Sequence, residues 1–381
     1  MTVYISEISV NQEDLVLTEE EQYDLENLSP RTPSITFRNQ DFDVAGLVKR
    51  LENGDILIPR ISSSERKSEQ LEMNAFQRGF VWKKRQMDSF IESLLLEYPI
   101  PGLFLVQQSD RKLIVLDGQQ RLETLRRFCS GQNGERKYRL RLSGSQFDGK
   151  GYSDLPEKYR RILDDTYITS TVIILDNTPE SYECVYDVFA RLNSGGTQLT
   201  PHEIRMALYN GNLMGEIDKV NMMPAWRSLY GSESPNRRFR DHELILRILA
   251  LYLDEKSYSK PLGGFLNRFA EAHRNEDCSL SSSLGEAFNL FSRAANALYG
   301  VDDSSFSLPG RRQLNAARAE SIMIGLMNAI AQQGDVTSEH IRASLSELNA
   351  SKEFEEETTG PTSDDVRVHS RIAIAKEAFA Q

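Results

Sequence analysis

The 381 residues hold three cysteines, five histidines and two tryptophans. That leaves few of the side chains that support metal or thiol chemistry. Cys129, Cys184 and Cys278 form no CxxC pair and no disulfide framework, and each reads as a small core residue. His202-Glu203 and His242-Glu243 have Met206 and Leu246 where a zincin helix needs its second histidine. No His-Asn-His nuclease constellation is visible among the histidines. No run approaches the roughly 18 apolar residues of a membrane helix. The start, MTVYISEISVNQEDL, has neither the basic nor the apolar region of a secretory signal. These absences predict a cytoplasmic protein without a membrane partner. A basic excess is lacking as well: 45 Lys+Arg stand against 56 Asp+Glu, a net charge of −11. Such a balance argues against an indiscriminate nucleic-acid coat, which needs a local surplus of Lys and Arg.

The charge is unevenly spread. Residues 1–30 carry eight acids and no base, whereas residues 111–161 carry thirteen bases and six acids, a local +7. Acids dominate again from Glu353 to Asp365. A basic block between acidic ends points to an anion handled in the middle of the chain. The length fits two domains. Residues 1–40 read as an acidic leader, partly disordered, with turn signals at Ser29-Pro30-Arg31-Thr32-Pro33. Residues 41–177 then read as a small α/β domain. It has a helix carrying Phe42, Leu47, Val48 and Leu51 that ends at Asn53-Gly54, a short strand at Ile56–Pro59 and a loop over Ile61–Glu72. A second helix puts Met87, Phe90, Ile91, Leu94 and Leu95 on one face. Leu103–Val106 and Leu113–Leu116 predict a β-hairpin, and a helix with Leu122, Leu125 and Phe128 inward follows. The alternation Tyr138-Arg139-Leu140-Arg141-Leu142 predicts a half-buried strand, and Ile168–Leu175 a buried one. Residues 178–381 are helical almost throughout. The fold class expected is therefore α+β, a small α/β domain followed by an all-helical one.

Three segments carry candidate chemistry. In the first, a strand runs into Asp117-Gly118-Gln119-Gln120-Arg121 and directly on into a helix. A helix N-terminus offers unpaired amides and the positive end of its dipole, a ready anion site. Gly118 lets backbone approach a phosphate, Gln119 and Gln120 can hydrogen-bond a base, sugar or phosphate, and Arg121 can clamp phosphate oxygens. Asp117 can cap the helix, hold Mg²⁺ or orient water. A plain helix start, with solvated Gln and Arg side chains, accounts for the same residues. The second segment is Phe76-Gln77-Arg78-Gly79-Phe80-Val81-Trp82. Arg78 can reach the same phosphates, while Phe80 and Trp82 read as core wall. The third is Arg191-Leu192-Asn193-Ser194-Gly195-Gly196-Thr197 before a capping box, Thr200-Pro201-His202-Glu203. The glycines need only a structural account, and Arg191 and Asn193 can reach the anion site. Gly144–Gly151 is one residue short of a P-loop and reads as a loop. Arg237, Arg238 and Arg240 read as a solvated helix entry.

The succession FQRGFVW, ESLLLEYPIPGLFL, IVLDGQQRLETL and VFARLNSGGTQLTPHEIRMALYNG resembles the N-terminal-domain family of GmrSD-type modification-dependent restriction endonucleases. That family belongs to the ParB/sulfiredoxin-like superfamily. DHELILRILALYL, GGFLNRF and TTGPTSDDVRVHSRIAIAKEAF extend the resemblance over about residues 41–381. The resemblance implies a ParB-like fold with a helical extension, an NTP pocket around the DGQQR loop, hydrolysis of the nucleotide in some members, and a setting in defence against phage or foreign DNA. Carried over by matching motif, Gln77, Arg78, Asp117, Gly118, Gln119, Gln120 and Arg121, with Arg191 and Asn193, form that pocket. In the reading preferred, Arg121 and Arg78 neutralise phosphate charge and Asp117 positions Mg²⁺ or water, giving a Mg²⁺-dependent nucleoside triphosphatase. Many members carry a C-terminal HNH-type domain, and none is seen here. The expectation is therefore a sensor or regulator working with a separate nuclease or effector, with modified or foreign DNA and a second copy as further partners. A non-catalytic DNA- or partner-binding module and a ParB-like nickase stand as alternatives.

Overall fold

Alternating apolar residues build a mixed sheet, and helices with one apolar stripe cover it. The computed structural model describes residues 35–58, 82–108, 111–134, 136–175, 179–192, 200–236, 238–302, 304–309, 313–359 and 362–380. Among these, the chain divides into two compact units. One holds residues 35–192 with Met206–Leu208, the other Thr200–Arg205 and residues 209–380.

The first unit begins with β1 (Thr36–Asp43), α1 (Val44–Glu52) and β2 (Ile56–Leu57). Asp43 caps α1 by accepting from the Gly46 amide at 2.6 Å. Next come α2 (Lys84–Leu95) and the hairpin β3 (Leu103–Gln107) and β4 (Leu113–Asp117), then α3 (Gln119–Ser130). A two-stranded ribbon of β5 (Gln132–Asn133) and β6 (Arg136–Lys137), then α4 (Glu157–Asp164), β7 (Tyr167–Ile174) and α5 (Pro179–Leu192), complete the order.

The main sheet runs β1-β7-β3-β4-β2, with β1–β7 and β3–β4 antiparallel and β7–β3 and β2–β4 parallel. Phe42, Ile168, Val172, Leu105 and Val115 on one face share a core with Leu47 of α1, Ile91 of α2, Leu125 of α3 and Leu163 of α4. The opposite face buries Val106, Ile114, Leu116 and Ile173, and α5 packs against β4. A helix covering that second face belongs with the sheet, so the change of unit falls between residues 192 and 200, later than the 177/178 boundary read from the sequence.

Several local readings of the sequence change; Phe42, expected on the first helix, lies in β1. Thr36–Gln40, assigned to the acidic leader, is the first part of β1 and pairs with β7 from Thr36↔Ile174 onward. Its side chains are largely exposed, so no apolar alternation marks it. Tyr138–Leu142 is not a strand. Tyr138 and Leu140 are buried and Arg139 and Arg141 exposed, as the alternation requires. The backbone, however, bonds to turns and a side chain: Tyr138 N–H to the Gly131 carbonyl, Leu140 N–H to Lys150, and Arg141 N–H to Asp88 Oδ2. Period-two burial reports side-chain partition and says nothing of a ladder partner.

The second unit takes in the start of α6 (Pro201–Leu208) and then α7 (Asn212–Asn221), α8 (Pro224–Tyr230), α9 (Arg240–Asp254), α10 (Leu262–Ala272), α11 (Ser283–Tyr299), α12 (Ala316–Gln333), α13 (Ser338–Ala350), α14 (Lys352–Glu357) and α15 (Asp365–Ala380). α12 is buried on nearly every side and forms the centre, as its all-round apolar composition predicts. At Gly325 a Cβ would stand 2.7 Å from the Ala375 carbonyl oxygen, so α12 and α15 approach backbone to backbone. Arg238, read as part of a solvated helix entry, is buried and pairs with Glu203 at 3.0 Å. The capping box supplies this acid: Thr200 Oγ1 accepts from the Glu203 amide and the Thr200 amide donates to Glu203 Oε2. Arg237 lies outside the described residues. Among the described residues, no helix is long and apolar enough to cross a membrane. Cys129, Cys184 and Cys278 are all free thiols.

Candidate functional site

The site is the junction of β4 and α3. Leu113–Leu116 are buried and Asp117 emerges at the strand end with its side chain half exposed. The β3–β4 register shifts between Phe104 and Leu105, opposite this end, and Phe104 faces Asp117. Such an irregularity beside a strand end re-aims the residue there. Gly118 follows with φ +99, a region closed to most side chains, and a Cβ there would stand 2.2 Å from Leu103 Cδ2. Glycine is therefore required twice over, once for the backbone and once for space.

α3 starts without a side-chain cap and without an acid in its first turn. Its leading amides, which by helix geometry have no intrahelical acceptor, thus lack the usual carboxylate of the first turn. Arg121 is buried within that turn. Its Nη1 donates to the carbonyls of Pro101 and Gly102, the latter at 2.9 Å, and its Nη2 donates to Asp117 Oδ2 at 2.6 Å. Burial lowers the Arg121 pKa and the Asp117 charge opposes the shift; the guanidinium stays protonated. Arg121 thus fastens three pieces together: the entry to β3, the end of β4 and the start of α3.

The two glutamines are also engaged. Gln119 Nε2 donates to the Val115 carbonyl at 3.3 Å, and Gln120 Oε1 accepts from the Trp82 amide at 3.1 Å. The second bond joins the last residue of the FQRGFVW motif to the DGQQR loop. Trp82 packs edge-to-face on Phe90, with centroids 5.6 Å apart, at the margin of the core, as a core-wall residue should. Behind the loop, Glu123 binds Arg126 and Arg127. Burial raises its pKa, but the two guanidinium groups outweigh burial and hold the carboxyl below its ordinary value.

Of the residues expected at the site, the structure brings Asp117, Gly118, Gln119, Gln120 and Arg121 into one turn. Gln77, Arg78 and Asn193 lie outside the described residues. Arg191 stands in the last turn of α5 with an exposed side chain, and among the described residues it makes no hydrogen bond or ion pair to the loop. Sequence reasoning missed Pro101 and Gly102, whose carbonyls hold Arg121. Tyr98–Gly102 reads as a helix stop, and no spacing rule links a carbonyl to an arginine twenty residues later.

This geometry offers an exposed carboxylate, a run of amides at a helix start and a fixed cation beneath them. It suits a phosphate group. A Mg²⁺ ion commonly takes one or two carboxylates and completes its shell with phosphate oxygens and water, and Asp117 is one such donor. No group of three or more His, Cys, Asp or Glu residues suited to a metal is present among the described residues, so an all-protein metal cage is not found there.

Residues 60–210 match the family model of the GmrSD restriction endonuclease, N-terminal domain. The span is shorter than the 41–381 over which motifs resemble the family, and it includes every candidate site residue. No curated protein and no solved structure gives a significant match to the chain.

Proposed function

We propose that this chain, with its GmrSD N-terminal-domain segment, is the nucleotide-responsive component of a restriction or anti-phage system, binding and hydrolysing a nucleoside triphosphate at the Asp117–Arg121 turn to regulate DNA cleavage by a nuclease partner. The observation that carries this reading is the turn itself. A left-handed Gly118, an α3 first turn free of acids and a buried Arg121 held by three acceptors support a phosphate seat at this turn. In this seat the first-turn amides of α3 hold a phosphate, and Gln119 and Gln120 set the loop's shape. Arg121 acts from below, as a fixed charge that also positions Asp117. By the family resemblance alone, Gln77, Arg78, Arg191 and Asn193 are further candidates for contact with the nucleotide. Mg²⁺, where bound, would use Asp117 and the phosphate oxygens and would neutralise charge on the leaving group. Asp117 also orients the attacking water and takes its proton: the water oxygen bonds to the terminal phosphorus, the bridging P–O bond breaks, and the nucleoside diphosphate leaves with the bridging oxygen as inorganic phosphate forms.

Calorimetry with a panel of NTPs and Mg²⁺, with phosphate release followed in parallel, tests the reading. Wild type is expected to bind at least one NTP. Asp117→Ala is expected to lose turnover by at least ~100-fold, the range for a positioned acid–base group. Binding without turnover would favour a nucleotide-operated switch. Absence of binding by any NTP would remove the assignment.

A further inference from the structure

We propose that the surface formed by the start of α2 and the segment 136–141 is a duplex-DNA contact that grips the phosphate backbone. Two stretches distant in sequence bring their bases together there. Lys83 is the N-cap residue of α2, and Lys84 and Arg85 are its first two residues. Segment 136–141 contributes Arg136, Lys137, Arg139 and Arg141, all exposed.

Three contacts hold the stretches side by side. Lys84 Nζ donates to the Arg139 carbonyl at 2.8 Å, Asp88 Oδ2 accepts from the Arg141 amide at 3.1 Å, and Lys84 Nζ stands 4.1 Å from the centroid of the Tyr138 ring. Burial lowers the Lys84 pKa, and although Asp88 opposes this, the nearby Arg141 charge lowers it further. Like charges here are close enough to feel one another.

The local acids offset only part of this charge, pairing with Lys84 and Arg139, while Lys83, Arg85, Arg136, Lys137 and Arg141 are exposed around them. Asp88 is fully buried and ion-paired to Lys84, Asp154 takes Arg139 at 2.8 Å, and Asp148 accepts from the Leu142 amide. α2 itself has no acid in its first turn. Its positive dipole end therefore carries basic residues, a placement of the wrong sign for helix stability. Repulsion of this kind, built in twice on one surface, is relieved by a polyanion.

The geometry suits a phosphate backbone. Lys137, Arg139 and Arg141 alternate with buried Tyr138 and Leu140. The alternation keeps these three bases exposed while Tyr138 and Leu140 face the core, so they are available to successive phosphates of one strand. The bases of α2 then lie in reach of further phosphates. Contacts of this kind to phosphates supply affinity and register and carry no sequence information directly. The choice of DNA among polyanions rests on the restriction-system reading above; the charge geometry does not.

Anisotropy with a fluorescent 30-bp duplex, repeated over a range of salt concentrations, tests the proposal on the full chain. Wild type should bind, with a log–log salt slope of about −3 to −5, that is, roughly 0.9 per phosphate contacted. Lys137→Ala/Arg141→Ala should weaken binding by about tenfold or more and reduce the slope by about 2. The same net change placed in the helical unit, Lys256→Ala/Lys352→Ala, should leave both values unchanged. Circular dichroism and NTP calorimetry on each variant separate this site from the phosphate seat: unchanged NTP binding with weakened DNA binding supports the patch. The proposal is overturned if the patch variant binds DNA as wild type does, if wild type binds no duplex at low salt, or if both double variants weaken binding equally.

Discussion

At Gly118, the backbone angle and the 2.2 Å approach of Leu103 to a notional Cβ impose the same residue for different reasons. Gly118→Ala is therefore expected to cost about 1–3 kcal/mol, through strain at positive φ and displacement of Leu103. Thermal unfolding would show this as a lowered Tm; an unchanged Tm would mean the turn is not held as described. Arg121 makes a different prediction. Arg121→Leu leaves the Pro101 and Gly102 carbonyls without their donor and Asp117 without its cation. The expected loss is about 2–3 kcal/mol in denaturant unfolding, with Arg121→Lys recovering only part, because an ammonium lacks the planar fork that reaches three acceptors.

Among whole elements, the helical unit is pinned by buried charge. Glu320 of α12 is fully buried between Arg247 of α9, at 2.8 Å, and Arg371 of α15. Burial pushes its carboxyl pKa up, but the two arginines prevail and hold it below the ordinary value. Glu320→Gln strands two guanidinium groups in the core and is expected to cost about 3–5 kcal/mol in chemical unfolding. The stabilisation from Glu320 is present above the pKa of an unfolded glutamate and is lost as pH falls through the depressed folded value.

A second cluster ties α7, α8 and α9. His242 Nε2 meets Asp218 at 2.6 Å and Nδ1 meets Asp241 at 2.9 Å, while Arg227 donates to Asp241 at 2.6 Å. Burial alone would lower the His242 pKa, yet the two carboxylates push it up to about 9. Its contribution is complete below the unfolded histidine value near 6.5 and disappears as pH rises through about 9. Stability should therefore fall from about pH 7 to about pH 10, and His242→Gln should flatten that fall. His202, 6.5 Å from His242 between ring centroids, behaves oppositely: burial, with the nearby Arg205 and His242 charges, holds it neutral. Ring-nitrogen NMR near neutral pH should find His242 charged and His202 uncharged.

Over the whole molecule, the net charge of −11 is an average that hides a basic region in the sheet unit. A phosphate seat and a basic patch are compatible with an acidic chain because solvent ions screen charges beyond about 8–10 Å. If the seat binds nucleotide, the folded state gains RT ln(1 + [L]/Kd), about 2.7 kcal/mol at a hundredfold excess over Kd. A Tm rise with NTP and Mg²⁺ is the expected outcome; no rise in wild type would count against the seat.

The hairpin, α2, α3 and the α6 capping box were legible in the sequence, because each rests on spacing of apolar residues or on local hydrogen bonding within three or four positions. So was the junction at Asp117–Arg121, since a strand running into a helix through glycine is a local event. β1 was hidden because an exposed edge strand has no apolar period, and Tyr138–Leu142 misled because alternation does not name a backbone partner. The use of Arg121, the burial of Arg238 and the meeting of α2 with segment 136–141 were decided only by the tertiary structure. A charged side chain's role depends on which carbonyl or carboxylate the fold brings within about 3 Å, and sequence separations of 20, 35 and 55 residues carry no record of that approach.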